Sequence, residues 1–172
     1  MPASYRGFTL YELLITLSLV AVLGTLALPA FETLSAKSRQ YTEISALFHA
    51  IHRARKTSIV QRREVSLCPS DDGATCARRT DWSAGWILYY APDDDTPGDL
   101  VVVAHEVTDS IRITANRRTF TLRATVKRAT NGTFVVCDRL GRIRAKALVV
   151  SFTGRPRVAT ARPDGRPYSC AY

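Results

Sequence analysis

Two copies of one short pattern, Gly141-Arg142-Ile143-Arg144 and Gly154-Arg155-Pro156-Arg157, carry residues suited to holding phosphate. Each copy follows an apolar run, offers a glycine where the chain can turn, and sets two arginines around one spacer. With the spacer extended, alternate side chains share a face, so both guanidiniums reach the same side and can grip neighbouring phosphates. The guanidinium suits this task because its planar fork matches two anionic oxygens at once. Pro156 biases Arg155 toward an extended backbone and lowers the entropy of presenting the pair. Lys146 extends the first copy, and Arg162 and Arg166 continue the basic series along the tail. The plainer account of either copy is a hairpin turn with solvated arginines.

The surrounding charge favours an anionic partner. The 172-residue chain has a net charge of +9, and positions 111–172 hold fourteen Arg or Lys against Asp138 and Asp164 alone. All fourteen are arginine except Lys127 and Lys146. So one-sided a tract suits nucleic acid or a membrane surface, with a simple solvated face as the alternative. Other chemistry finds little support. No C-x-x-C occurs, and His49, His52 and His105 stand apart from the cysteines in sequence, so no metal site is expected. The run Asp93-Asp94-Asp95-Thr96-Pro97-Gly98-Asp99 lacks the ligand spacing of a calcium loop and reads as a turn. Trp82 and Trp86 are candidates for stacking on bases, but beside Ile87 and Leu88 they read as core. With no catalytic triad, paired catalytic carboxylates or phosphate-cradling loop, the chain is not expected to be an enzyme or to carry a cofactor.

The elements that must position these residues begin with an uncharged run over 13–31, long enough to cross a bilayer core. Its only hydroxyls, Thr16, Ser18 and Thr25, can return their hydrogen bonds to a helix backbone, and Pro29 lies near its far end. A cleaved secretory signal is the alternative. Against it stand a single basic residue, Arg6, an acid at the mouth of the run, Glu12, and no small-x-small site followed by a polar mature start before Phe31. The helical pattern continues through Phe31, Leu34, Tyr41, Ile44, Leu47, Phe48, Ile51 and Ala54, spaced mostly by three and four. One helix is thus predicted over about 8–60, with His49 and His52 as surface or sheet-contact residues.

Beyond the helix the chain reads as sheet, giving an α+β class. Strands are predicted at 65–68, through the aromatic stretch ending at Tyr90, at 100–104, and at 133–137 after the hairpin signal Asn131-Gly132. Phe120, Leu122, Ala124 and Val126 alternate with Thr119, Thr121, Arg123 and Thr125, which predicts one apolar and one polar, basic face. Residues 147–152 read as the last clear strand, and 160–172 as irregular unless Cys170 ties them down. The four cysteines admit three pairings. The expected one joins Cys68 to Cys76 across a short loop and Cys137 to Cys170 across a long one, in an oxidising compartment.

The start Gly7-Phe8-Thr9-Leu10-Tyr11-Glu12-Leu13-Leu14-Ile15 resembles the class III signal of type IV pilins and type II secretion pseudopilins. That resemblance implies cleavage by a prepilin peptidase between Gly7 and Phe8, N-methylation of Phe8, and Glu12 as fifth mature residue. It also supplies Glu12 with a partner, the Phe8 terminus of a neighbouring subunit, since a lone carboxylate at the edge of hydrocarbon is costly. Tyr11 departs from the commoner isoleucine or valine.

Ser66-Leu67-Cys68-Pro69-Ser70, Trp82-Ser83-Ala84-Gly85-Trp86, Phe134-Val135-Val136-Cys137-Asp138 and residues 149–157 look like the GspH/FimT family across essentially the whole mature chain. The resemblance implies a type IV pilin fold, with a long N-terminal helix packed on antiparallel sheet. Its parts are a leader at 1–7, a transmembrane and fibre-core half-helix at 8–30, an amphipathic half at 31–63, and a β-rich region at 64–172. Within that family the FimT branch resembles a receptor for double-stranded DNA in natural transformation. Its C-terminal G-R-x-R motif maps onto Gly154, Arg155, Pro156 and Arg157, with the Gly141 copy auxiliary. The implied partners are double-stranded DNA, other major and minor pilins, the prepilin peptidase, and the inner membrane before assembly. The globular region would face the periplasm and then join a pilus or pseudopilus. The alternative function is a structural minor pilin or secretion pseudopilin that primes fibre assembly without binding DNA.

Overall fold

Leu- and Ala-rich sequence with one interior proline makes a single helix, α1, over Leu10–Gln61 in the computed structural model. The structure describes residues 7, 9–90, 101–124 and 128–170. Residues 1–6 of the leader, Phe8, residues 91–100 with the acidic run 93–99, residues 125–127 and residues 171–172 lie outside the described residues.

Thr9 and Glu12 start α1 as a reciprocal cap. The Glu12 N–H donates to Thr9 Oγ1 (3.3 Å), and the Thr9 N–H donates to Glu12 Oε2 (3.0 Å). Thr16, Ser18 and Thr25 donate to the carbonyls of Leu13, Ile15 and Val22, as expected for hydroxyls in an apolar helix. The helix continues past Pro29, whose carbonyl accepts from Thr33 Oγ1 at 3.0 Å. The chain divides into two compact units, Met1–Ser35 and Ala36–Tyr172. In the first, an 18-residue stretch with mean hydropathy 2.3 is wholly unburied, which fits a segment that waits for lipid or neighbouring subunits.

In the second unit α1 buries Ala36, Gln40, Glu43, Ile44, Leu47, Ala50, Ile51, Ala54 and Ser58, at helical spacing. The predicted stripe is therefore shifted by part of a turn. Tyr41 is 70% exposed, while Gln40 and Glu43 take inward positions because the sheets offer them partners. Gln40 Nε2 donates to the carbonyls of Val136 and Arg144, both at 2.9 Å. Glu43 accepts from the Thr108 N–H (3.0 Å) and hydroxyl (2.8 Å) and is bonded to His105 Nε2 (2.9 Å). Burial would raise the Glu43 carboxyl, but these bonds from His105 and Thr108 outweigh it and hold the group below its ordinary range.

Eight strands follow: β1 Val65–Pro69, β2 Gly85–Tyr90, β3 Val101–Glu106, β4 Ile111–Ala115, β5 Phe120–Leu122, β6 Gly132–Asp138, β7 Lys146–Val150 and β8 Pro156–Ala159. They form two antiparallel sheets, ordered β3-β2-β1-β5 and β4-β6-β7-β8. Leu67, Leu88, Phe120, Ile113, Phe134 and Leu148 meet α1 in one core. Trp82 lies in it, edge-on to Phe134 with centroids 4.9 Å apart, and Trp86 is 2% exposed, so both tryptophans are core. His49 and His52 are exposed on α1.

Three expectations need correction. Among the described residues of the predicted strand at 120–126, only Phe120–Leu122 form strand, β5, and Thr121 is buried, sharing a 2.9 Å hydrogen bond with Ser66. Asn131-Gly132 is not a two-residue hairpin, because β5 and β6 belong to different sheets. Gly132 is needed for close approach instead: a Cβ there would lie 2.5 Å from Asn116 Oδ1. Residues 147–152 are not the last strand, since β8 follows and already contains Pro156 and Arg157. Disulfides join Cys68 to Cys76 and Cys137 to Cys170, the expected pairing.

Candidate nucleic-acid interface

The glycine-arginine steps sit in three turns of one geometry, not two. Residues 138–142 (DRLGR), 151–155 (SFTGR) and 162–166 (RPDGR) each place a glycine at positive φ, at 68°, 73° and 80°. In each, the glycine N–H donates to the carbonyl three residues back, at 3.1, 2.8 and 2.9 Å. This is a type I turn followed by a left-handed residue, a position glycine fills without steric cost. The N–H of the following arginine is then held by a side chain: Arg142 by Asp138, Arg155 by Ser151 and Arg166 by Asp164. The third turn was legible as Pro-Asp-Gly, but without a second arginine two residues on it does not match G-R-x-R. It orders the tail that the sequence left irregular, and Cys170 fastens that tail to β6.

The three turns differ in what their arginines do. Asp138 is buried, and Arg142 clasps it with both Nε (3.0 Å) and a terminal nitrogen (2.7 Å). The Arg142 side chain, opposed by burial and helped by the Arg142 N–H, holds the Asp138 carboxyl below its ordinary range. Arg142 is thus committed within the fold rather than presented. Arg155 and Arg157 are exposed on either side of buried Pro156, and neither guanidinium has a hydrogen-bond or ion-pair partner among the described residues. The β7–β8 register pairs Pro156 with Val150 and Arg157 with Val149. Arg157 therefore shares the sheet face of Val149, Thr133 and Val135, opposite to that of core residues Leu148 and Val150.

At the other end of β8, exposed Arg144 and half-buried Lys146 line a cavity of about 720 Å³ with Thr160, Gly165 and Tyr168. Arg162 lines a second cavity, about 590 Å³, with Thr114, Thr133 and Tyr168, its guanidinium 5.8 Å from the Tyr168 ring centroid. Arg166 is 82% exposed and only loosely paired with Asp164, at 3.8 Å. Cationic groups thus recur along β8 from Arg155 to Arg162. The four-residue strand between them spans roughly 13 Å, about four base-pair steps of duplex at ~3.4 Å each. Around the 151–155 turn the structure adds two bases that sequence reasoning did not select. Arg128 lies over the Phe152 ring at 5.5 Å, and the Arg55 side chain passes beside Gly154.

At the N-terminus Gly7 is exposed with open space around its Cα, and Glu12 finds its monomer partner in Thr9. Among the described residues no cluster of metal-ligating side chains occurs.

A capped apolar helix whose second part packs on antiparallel sheets defines the type IV pilin class. Within it the chain belongs to the GspH family: the family described as Type II transport protein GspH matches residues 43–154. The Prokaryotic N-terminal methylation motif matches residues 2–28. Two crystal forms of the type IV minor pilin FimU of Pseudomonas aeruginosa share the fold, both at 18% identity. One gives a TM-score of 0.55 over 79% of this chain and 99% of that one, the other 0.56 over 82% and 98%. The minor pseudopilin EpsH of the Vibrio cholerae type 2 secretion system gives 0.53 at 5% identity, over 70% and 96%. No curated protein matches. The GspH match and the methylation motif make the chain a type IV pilin-like protein of the GspH family. Its apolar helix and methylation motif fit prepilin processing, inner-membrane anchoring and later packing against other pilins.

Proposed function

We propose that this minor pilin binds extracellular double-stranded DNA through its phosphates, without regard to sequence, for uptake in natural transformation. The observation that carries the reading is the pair Arg155 and Arg157, both exposed and without a side-chain partner among the described residues, beside Gly154 at φ 73° and buried Pro156. Arg144, Lys146, Arg162 and Arg166 extend the surface at the far end of β8, and Arg142 supports it by fixing the neighbouring turn. Peptidase cleavage after Gly7 and pairing of Glu12 with a neighbour's Phe8 terminus serve assembly in the same account, with the globular region in the periplasm beforehand.

Binding of this kind weakens steeply with salt, because it releases counterions. A gel shift on random-sequence duplex at low and moderate salt tests it. The wild type should shift at low salt, and R155Q/R157Q should flatten the salt dependence by about two in log–log slope. No shift at low salt would refute DNA binding, and an unchanged shift in the double variant would refute the site. A structural subunit that primes a fibre is the second reading, favoured by the fold shared with FimU and EpsH.

A further inference from the structure

We propose that Phe152 is a base-stacking contact, its ring meeting an unstacked nucleobase while Arg128 and Arg155 hold the flanking phosphates. The inference rests on the DNA-binding reading above. It adds a preference, for DNA with exposed bases over intact duplex.

Phe152 is 58% exposed at the tip of the β7–β8 turn, whereas Leu148 and Val150 of β7 are buried. The turn beneath it is tightly held. The Phe152 carbonyl accepts from the Ala129 N–H at 3.0 Å, and Ser151 Oγ and Thr153 Oγ1 are bonded at 2.8 Å. Gly154 is pressed so close to β5 that a Cβ would lie 2.8 Å from Leu122 Cδ1. The ring is therefore displayed by a rigid support, which limits the entropy lost when it engages a partner.

The neighbours of the ring indicate that partner. Arg128 lies over it at 5.5 Å, Arg155 follows three residues later, and no acidic residue lies in the 151–155 turn. An exposed aromatic ring with one guanidinium over it and a second arginine three residues on suits a base flanked by phosphates. Stacking is tolerant of sequence because every base has a π-face, whereas phosphate contacts alone do not distinguish paired from unpaired bases. Phe152 thus supplies a contact that depends on base exposure, and the arginines supply one that depends on salt.

The test uses the full chain in detergent micelles, with anisotropy measured on a random-sequence single strand and on the same sequence as a duplex closed by hairpin caps. The wild type should favour the single strand. F152A and F152L should each weaken single-strand binding about tenfold, leave capped-duplex binding unchanged, and leave the salt slope unchanged. R155Q/R157Q should instead weaken both probes and flatten the slope. Equal loss on both probes in F152A, or no loss, would overturn the stacking contact while leaving DNA binding intact. A wild type that binds neither probe would overturn the DNA reading itself.

Discussion

Arg142 and Arg155 occupy the same place in equivalent turns, yet one is an internal ligand and the other faces solvent. The difference is the residue that opens the turn, Asp138 in one and Ser151 in the other. Opposite consequences follow on mutation. R142Q strands a buried carboxylate and should cost about 2–3 kcal/mol, less than a fully buried pair because Arg142 is 22% exposed. R155Q should leave stability unchanged within about 0.5 kcal/mol. Thermal melts of the two single variants, beside their DNA affinities, check this. The carboxyls of Asp138 and Glu43 are both held low, so the stability they contribute is complete above the ordinary carboxylate range and lost as pH falls below it. Melting temperature should be flat near neutral pH and drop below about pH 4, less steeply in D138N. At this scale the sequence displayed the glycine-arginine steps but not their division of labour. That division depends on the burial of Asp138.

At the scale of elements, β8 and its turn determine whether the site is presented. Gly154 combines a φ of 73° with a filled Cβ position, so G154A should destabilise the fold by about 2 kcal/mol, lowering Tm by roughly 6 °C. G165A, at φ 80° but in open space, should cost less. Comparing the two melts isolates the steric contribution, and equal losses would argue against it. The long helix and the strands around 65, 87, 135 and 148 were legible from their apolar residues, since each buries at least one face, and β3 around 103 from an apolar run that is only partly buried. The strand β8 was not, because four residues beginning with proline at a sheet edge carry almost no alternation. The shift of the α1 stripe was also hidden: Gln40 and Glu43 are polar, and only the carbonyls and Thr108 that they meet make them interior residues.

For the whole molecule, assembly and cargo binding fall in different units on the proposed reading. The leader, the Thr9–Glu12 cap and the exposed apolar stretch belong to Met1–Ser35, and the basic surface along β8 to Ala36–Tyr172. Because N-terminal pilin signals are local motifs, that half was readable residue by residue. The basic surface depended on which arginines the sheet left unpaired. The division implies that cargo binding can be removed without removing the fibre. The most direct measurement compares transformation frequency and fibre assembly in cells whose only copy of this pilin is wild type or R155Q/R157Q. On this account the double variant should assemble normally and lose transformation by at least about tenfold, as for removal of contacts worth about 1.4 kcal/mol or more. Normal transformation by the double variant, or loss of assembly along with transformation, would contradict it.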